Sequence, residues 1–368
     1  MEKKPINKNF IFWSLLISFL FITSLVSFEL VGQAAYRIHF GQWRFLMHDS
    51  YAGFYISHPW LVGVPKPGES RTIKDGKKTI TISHNSMGFR GYEVKIQKGN
   101  NTHRIIVLGG STTYCVGVSD NETWPYFLEK NLGAGWRVVN LGVPGYSTVE
   151  VLIQTALQIQ DLSPDIAVYY EGWNDIRNIH IKNLKSDYSD FHGKSQYNNL
   201  QINVGEFSKS IIITLIKKYL YNTWSIPTRP MPTADAFSTT PDYRALDLYG
   251  RNLGSIIALC IKWNIIPIMV PQVLNYEALI EDKPNNWVPF LKEKDIRAAM
   301  KLYNEKMREV AAQNQVGFVE EVLETRFLSS DFIDNGHFSP SGNKKFATIL
   351  TKYINKEATK ERLLKPLL

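Results

Sequence analysis

The stretch RIIVLGGSTT, residues 104–113, decides how the chain is read. Its apolar first half suits a short strand buried on both faces. Gly109-Gly110 then permit a tight turn that lifts the Ser111 hydroxyl above the sheet. A helix starting there would aim its first N–H groups at a bound oxyanion. The same letters fit an ordinary strand-to-helix turn with Ser111 or Thr112 as N-cap, so the neighbouring blocks must choose between the two readings. No Gly-Lys-Ser/Thr follows, which disfavours a P-loop, and no G-x-G-x-x-G is present.

Outward from this stretch, the pattern repeats. Residues 137–141 (RVVNL), 166–170 (IAVYY) and 265–270 (IIPIMV) read as further strands, with a weaker fifth at 316–322. Between them, residues 123–132, 148–162, 243–263 and 295–313 read as helices, and 346–356 closes the series. Apolar strands alternating with helices predict a parallel sheet covered on both faces. In such sheets the site lies beyond the carboxyl ends of the strands. Residues 178–241 are polar and irregular apart from an apolar run at 211–221, and read as an insertion or lid, or as a tolerated surface excursion.

The strand ends carry the chemistry. The second strand runs into Gly142-Val143-Pro144-Gly145-Tyr146-Ser147, where Gly145 would leave an N–H open to a ligand, or simply make a turn. The third runs into Glu171-Gly172-Trp173-Asn174-Asp175. A side-chain amide there can donate to a developing oxyanion, or cap backbone in a loop. Asp175 either holds Asn174 or a turn in place, or is solvated. Near the C-terminus stands Asp334-Asn335-Gly336-His337-Phe338-Ser339-Pro340. Within a turn, the three-residue spacing lets the Asp334 carboxylate meet one ring nitrogen while the other faces a nucleophile, as in a Ser-His-Asp triad. Asp331 is a less natural partner. A structural or metal role fits a lone D-x-x-H as well, but no second His or carboxylate cluster stands at ligand spacing.

The four blocks together, in chain order, resemble the SGNH/GDSL hydrolase superfamily, over residues 101–356 apart from the 178–241 insertion. Asn85-Ser86-Met87-Gly88-Phe89-Arg90-Gly91 is similar to the entry segment of extracytoplasmic members. The resemblance implies a flavodoxin-like three-layer α/β/α sandwich with a five-stranded parallel sheet. It implies Ser111 as nucleophile, His337 as general base and Asp334 as its orienting carboxylate. The Ser111 N–H, the Gly145 N–H and the Asn174 amide would form the oxyanion hole, with no cofactor and no metal. Two departures stand out: Gly-Gly-Ser replaces Gly-Asp-Ser, and Trp173 precedes the asparagine. Both are at home in members linked to polysaccharides and make the narrow lipase subgroup a poorer fit. Trp173 is a candidate substrate contact. The implied activity is a serine esterase that removes acyl groups, acetyl among them, from an extracytoplasmic glycan or lipid. An O-acyltransferase using the same site on a surface polysaccharide, and a non-catalytic polysaccharide assembly or binding protein, are the alternatives.

Charge and hydropathy place this domain. The 368 residues carry a formal +8, which raises nucleic acid, membrane surface and acidic substrates as partners. Residues 1–9 hold +2 of it and residues 344–368 hold +5, leaving +1 on the rest. A nucleic-acid domain would spread its charge over a folded face, so that class is disfavoured. Residues 10–28 (FIFWSLLISFLFITSLVSF) contain no charge and span about 28 Å as a helix, close to a hydrocarbon core. Lys3, Lys4 and Lys8 before it match a cytoplasmic N-terminus. The run exceeds a signal-peptide core, although Gly32 and Ala34 would allow cleavage. The expected layout is a basic flank at 1–9, a signal anchor at 10–32, a β-rich segment at 36–100, the hydrolase domain at 101–356 and a basic tail at 357–368. In the β-rich segment, residues 70–73 and 78–83 flank Asp75-Gly76 as a type I′ hairpin. Two cysteines, Cys115 and Cys260, exclude a disulfide framework and a Cys-based zinc site, and their pairing is left open.

Overall fold

The structure, a computed structural model, describes residues 8–40, 43–46, 54–58, 60–61, 63–75, 78–178, 184–188, 210–216, 243–280 and 291–359. The chain divides into two units. One takes residues 1–53 and 201–227, the other residues 54–200 and 228–368.

In the first unit, α1 (Lys8–Phe40) is one continuous helix. Its Lys8–Ile38 span is long and apolar enough to cross a membrane, with an 18-residue stretch of mean hydropathy 2.2, none of it buried. Residues 1–7 of the basic flank expected at 1–9 lie outside the described residues, and Lys8 and Asn9 begin α1.

The second unit begins with two antiparallel hairpins, β1 (Tyr55–Ser57) with β2 (Gly63–Pro65) and β3 (Ser70–Asp75) with β4 (Lys78–Ser83). The second is the expected hairpin, and the turn between Asp75 and Lys78 lies outside the described residues. Five parallel strands follow: β5 (His103–Gly109), β6 (Trp136–Asn140), β7 (Ile166–Tyr170), β8 (Ile266–Val270) and β9 (Gly317–Phe318). They are ordered β6-β5-β7-β8-β9. The five-stranded parallel sheet is the expected one, and the three-layer class holds.

The layers follow from the two-residue period of a strand. Ile106, Leu108, Ala167, Tyr169 and Met269 point to one face. There they meet α4 (Thr148–Leu157), α5 (Tyr243–Lys262) and α6 (Glu293–Gln313). Ile105, Val107, Val168, Tyr170 and Val270 point to the other. There they meet α3 (Trp124–Leu132) and α8 (Pro340–Thr359). Each burial removes apolar area from water at about 25 cal/mol per Å², the dominant favourable contribution to folding.

The helix read at 148–162 ends at Leu157, and two further elements depart from expectation. The strand read at 316–322 shrinks to Gly317–Phe318, and the chain then turns into α7 (Glu321–Glu324). The final helix starts at Pro340, six residues before the expected Phe346, because proline suits the first helical position. The basic tail from residue 360 and most of the 178–241 insertion lie outside the described residues.

Candidate active site

Strand order reverses direction at β5, with β6 on one side and β7 on the other, so the ends of all three converge at a topological switch point. β5 delivers Ser111 as the first residue of a four-residue helix, α2 (Ser111–Tyr114). Gly109 has φ +153°, and a Cβ there would lie 2.2 Å from the Tyr170 carbonyl oxygen. Only glycine lets the turn run this close to β7.

His337 meets Ser111 across 226 residues of sequence, Nε2 to Oγ at 2.8 Å. Its Nδ1 lies 2.7 Å from Asp334 Oδ2. The other carboxylate oxygen accepts the Gly336 and His337 N–H groups, each at 2.8 Å. One carboxylate therefore shapes the turn and holds the ring. Because Nδ1 faces a carboxylate, the neutral imidazole carries its proton there, and Nε2 is free to accept from the Ser111 hydroxyl. The Ile333 N–H closes this loop on the His337 carbonyl at 2.9 Å. Burial pushes the Asp334 carboxyl up, but the His337 ring and the two N–H groups outweigh it and hold the group down at about 2.

Asn174 comes to the same place from β7. Its Nδ2 donates to the Tyr146 carbonyl at 2.6 Å, one residue beyond Gly145. Gly145 itself has φ +84°. A Cβ on Gly110 would lie 2.1 Å from Asn174 Nδ2 and 2.9 Å from the Tyr146 carbonyl oxygen. The Gly-Gly-Ser departure thus has a steric counterpart: the space a side chain would take is filled by the Asn174 amide. Ser111, His337 and Asp334 are brought into one relay, and Asn174 is packed beside Gly110. Trp173 is only 5 % exposed and packs in the sheet core, with its indole facing Gly336. Asp175 accepts the Thr148 N–H and hydroxyl, which ties the start of α4 to the end of β7.

Two functional-looking residues escaped the sequence reading. Glu171 is buried, and its Oε1 accepts the N–H groups of Gly172 at 2.9 Å and Asn174 at 3.2 Å. Its Oε2 would lie 2.9 Å from a Cβ on Gly110. Burial and the neighbouring Asp175 push its carboxyl well up. The available signal was an acidic residue continuing an apolar strand. Arg90, in the entry segment, is buried over the Tyr114 ring. Its guanidinium donates to the carbonyls of Tyr114, Cys115 and Val118, at 2.6, 2.6 and 2.5 Å. The first two of these carbonyls end α2, and Arg90 satisfies all three. Cys115 and Cys260 are both free and buried.

Comparison with known proteins identifies the family. The GDSL-like Lipase/Acylhydrolase family matches residues 107–345, and the chain belongs to it. It is a serine hydrolase acting on ester bonds. The solved structures it resembles include the acetylxylan esterase Axe2 from Geobacillus stearothermophilus, at 17 % identity. That likeness covers 71 % of this chain and 96 % of the other, with TM-score 0.41. They also include the lipase/acylhydrolase from Enterococcus faecalis, at 13 % identity over 70 % and 97 %, TM-score 0.42. A GDSL-like lipase from Bacteroides thetaiotaomicron stands at 14 % over 72 % and 93 %, TM-score 0.42. No curated relative matches the chain by sequence.

Proposed function

We propose that Ser111 is the nucleophile of an esterase that removes short acyl groups, acetyl among them, from a glycan or lipid on the outer side of a membrane. The observation that carries this is the Ser111–His337–Asp334 relay, with contacts of 2.8 and 2.7 Å. Ser111 Oγ attacks the ester carbonyl while His337 Nε2 takes its proton. The oxyanion forms beside the Ser111 and Gly145 N–H groups and the Asn174 amide. Collapse breaks the ester C–O bond, and His337 returns the proton to the leaving alcohol. Water then repeats the sequence on the acyl-serine and releases the acid. Asp334 holds the ring and favours its charged form throughout. A sugar hydroxyl in place of water would give acyl transfer by the same steps.

The substrate side rests on place as well as chemistry. α1 would hold its N-terminus in the cytoplasm and the second unit beyond the membrane, on the charge bias of Lys3, Lys4 and Lys8. The deciding experiment uses the full chain in detergent. It compares hydrolysis of 4-nitrophenyl acetate, butyrate and palmitate with and without Ser111→Ala, alongside fluorophosphonate labelling. Activity that falls with acyl length and vanishes in the variant is expected. Equal turnover by both proteins would overturn the assignment. Supplying an acetylated glycan then separates release of free acetate from transfer to a second glycan.

A further inference from the structure

The first unit holds a polar contact that an anchor alone does not need. Glu29 lies in α1, nineteen residues after Phe10, about 28 Å along the helix and hence at the far edge of a hydrocarbon core. Its carboxylate accepts the Ile211 N–H and the Ile212 N–H, at 2.8 and 2.9 Å. It also accepts the Ser210 hydroxyl at 2.8 Å and the Gln33 amide at 2.7 Å. Glu29 therefore caps the first turn of the helix at residues 211–216, which belongs to the insertion. Beside it the two helices touch: a Cβ on Gly32 would lie 2.9 Å from Ile211 Cγ2. Arg44 donates to the Thr214 hydroxyl at 3.2 Å.

The outward side of this segment is apolar. Ile213, Leu215 and Ile216 are each about half exposed, and they adjoin a helix whose own Leu25, Phe28 and Val31 face outward. In sequence the segment is bracketed by Lys209 on one side and Lys217 and Lys218 on the other, with Tyr219, Tyr221 and Trp224 following. Cations around an apolar run, followed by Tyr and Trp, suit the boundary between headgroups and acyl chains. Six helical residues span about 9 Å, too short to cross.

We propose that residues 210–216 form a second membrane contact, a short interfacial segment seated on the anchor helix through Glu29, with Ile213, Leu215 and Ile216 buried at the headgroup–acyl boundary of an anionic bilayer. The occupant of this apolar face is lipid because the face continues the outer surface of α1 at the depth where that helix leaves the hydrocarbon. The inference rests on α1 spanning a membrane, as the functional reading has it. It does not depend on the esterase chemistry. Its consequence is topological: the chain passes from the membrane unit to the catalytic unit at residue 53, returns at 200 and leaves again at 227. The catalytic unit is then tied to the bilayer by three chain crossings instead of one.

The test uses the full chain in vesicles of phosphatidylethanolamine and phosphatidylglycerol. Single nitroxides are attached through Ile213→Cys, Ile216→Cys, Phe19→Cys and Leu157→Cys. Phe19 is exposed on α1 and Leu157 on the catalytic unit, while the native Cys115 and Cys260 are buried. Relaxation by lipid-soluble oxygen is compared with relaxation by a water-soluble nickel chelate. Labels at 213 and 216 should share the oxygen preference of 19, several-fold above 157, and Glu29→Ala should move them toward 157. A label at 19 in lipid with 213 and 216 as aqueous as 157 would overturn this inference alone. A label at 19 in water would overturn the anchor and the inference together. Spin–spin broadening at 213 that disappears on dilution with unlabelled chain would assign the face to a second copy, and would also overturn it. So would lipid contact at 213 and 216 that survives Glu29→Ala unchanged.

Discussion

Replacing Gly110 by alanine should disable the oxyanion side of the site without touching the relay. The backbone does not forbid it, since Gly110 has φ −85°. The obstacle is the neighbour: the new Cβ would sit 2.1 Å from Asn174 Nδ2, against an ordinary contact of at least 3.4 Å. The amide must therefore retreat by more than 1 Å, and it is hemmed in by the Tyr146 carbonyl and Glu171. A misplacement of about 1 Å costs on the order of 100-fold in rate. Outright loss of one oxyanion donor costs about 100- to 1,000-fold in kcat. Gly110→Ala should thus lower kcat by about 100- to 1,000-fold with KM changed only a few-fold. The assay is 4-nitrophenyl acetate turnover, normalised to sites counted by a fluorophosphonate, so that unfolded protein does not enter the rate. The sharper measurement is the cycle with Asn174→Ala. If alanine at 110 acts through Asn174, the double variant is no slower than the slower single one, because the same donor is lost once. Losses that multiply, or a single variant within about three-fold of the parent on the scale of one oxyanion donor, would refute the reasoning.

Three further outcomes follow from the same geometry. Asp334→Asn cannot accept the Nδ1 proton in the same way. It should lower kcat by about 1,000-fold or more while leaving KM near the parent value, measured on the same ester. At Glu171, glutamine keeps an oxygen for the Gly172 and Asn174 N–H groups, whereas alanine abandons both. Glu171→Gln should keep most of the activity and Glu171→Ala should lose kcat; equal losses in the two would exclude a backbone-holding role. His84 gives a pH prediction for stability. Burial pushes its pKa down to about 4, and its Nδ1–H donates to the Lys66 carbonyl while Nε2 accepts from the Tyr114 hydroxyl at 2.7 Å. The unfolded chain binds that proton near pH 6.5, so stability falls as pH drops from about 6.5 to about 4, by about 3 kcal/mol in all. Urea midpoints across that window check it, and His84→Gln should flatten the slope.

What could be read from sequence divides along the range of the interaction. β5 and β7 are legible because a strand buried on both faces must be apolar at every position, and Ile105–Leu108 and Ile166–Tyr170 are. β9 is not, because an edge strand pairs on one side only: two residues suffice, and the apolar letters after them serve Val319 and Val322 in the other layer. The Asp334–His337 contact is legible because it is local, three residues within one turn. The Ser111–His337 contact is not contained in any spacing. It arises because the β5 turn and the loop before α8 are brought together by the sheet and α8's packing on α3. Glu171 and Arg90 are harder still. Each is an ionisable residue in a buried place, and composition alone predicts such residues to be solvated. Both are admitted because their polar atoms meet backbone groups left over by sharp turns: N–H groups at the end of β7 for Glu171, carbonyls at the end of α2 for Arg90. Glycine turns that bring Ser111 and Asn174 together strand those backbone groups, so buried side chains beneath the site are a consequence of its tightness. The same logic recurs in the first unit, where Glu29 in an apolar helix meets the N–H groups of residues 211 and 212. In each case the unexpected ionisable side chain is the partner of a backbone group that folding would otherwise leave unsatisfied.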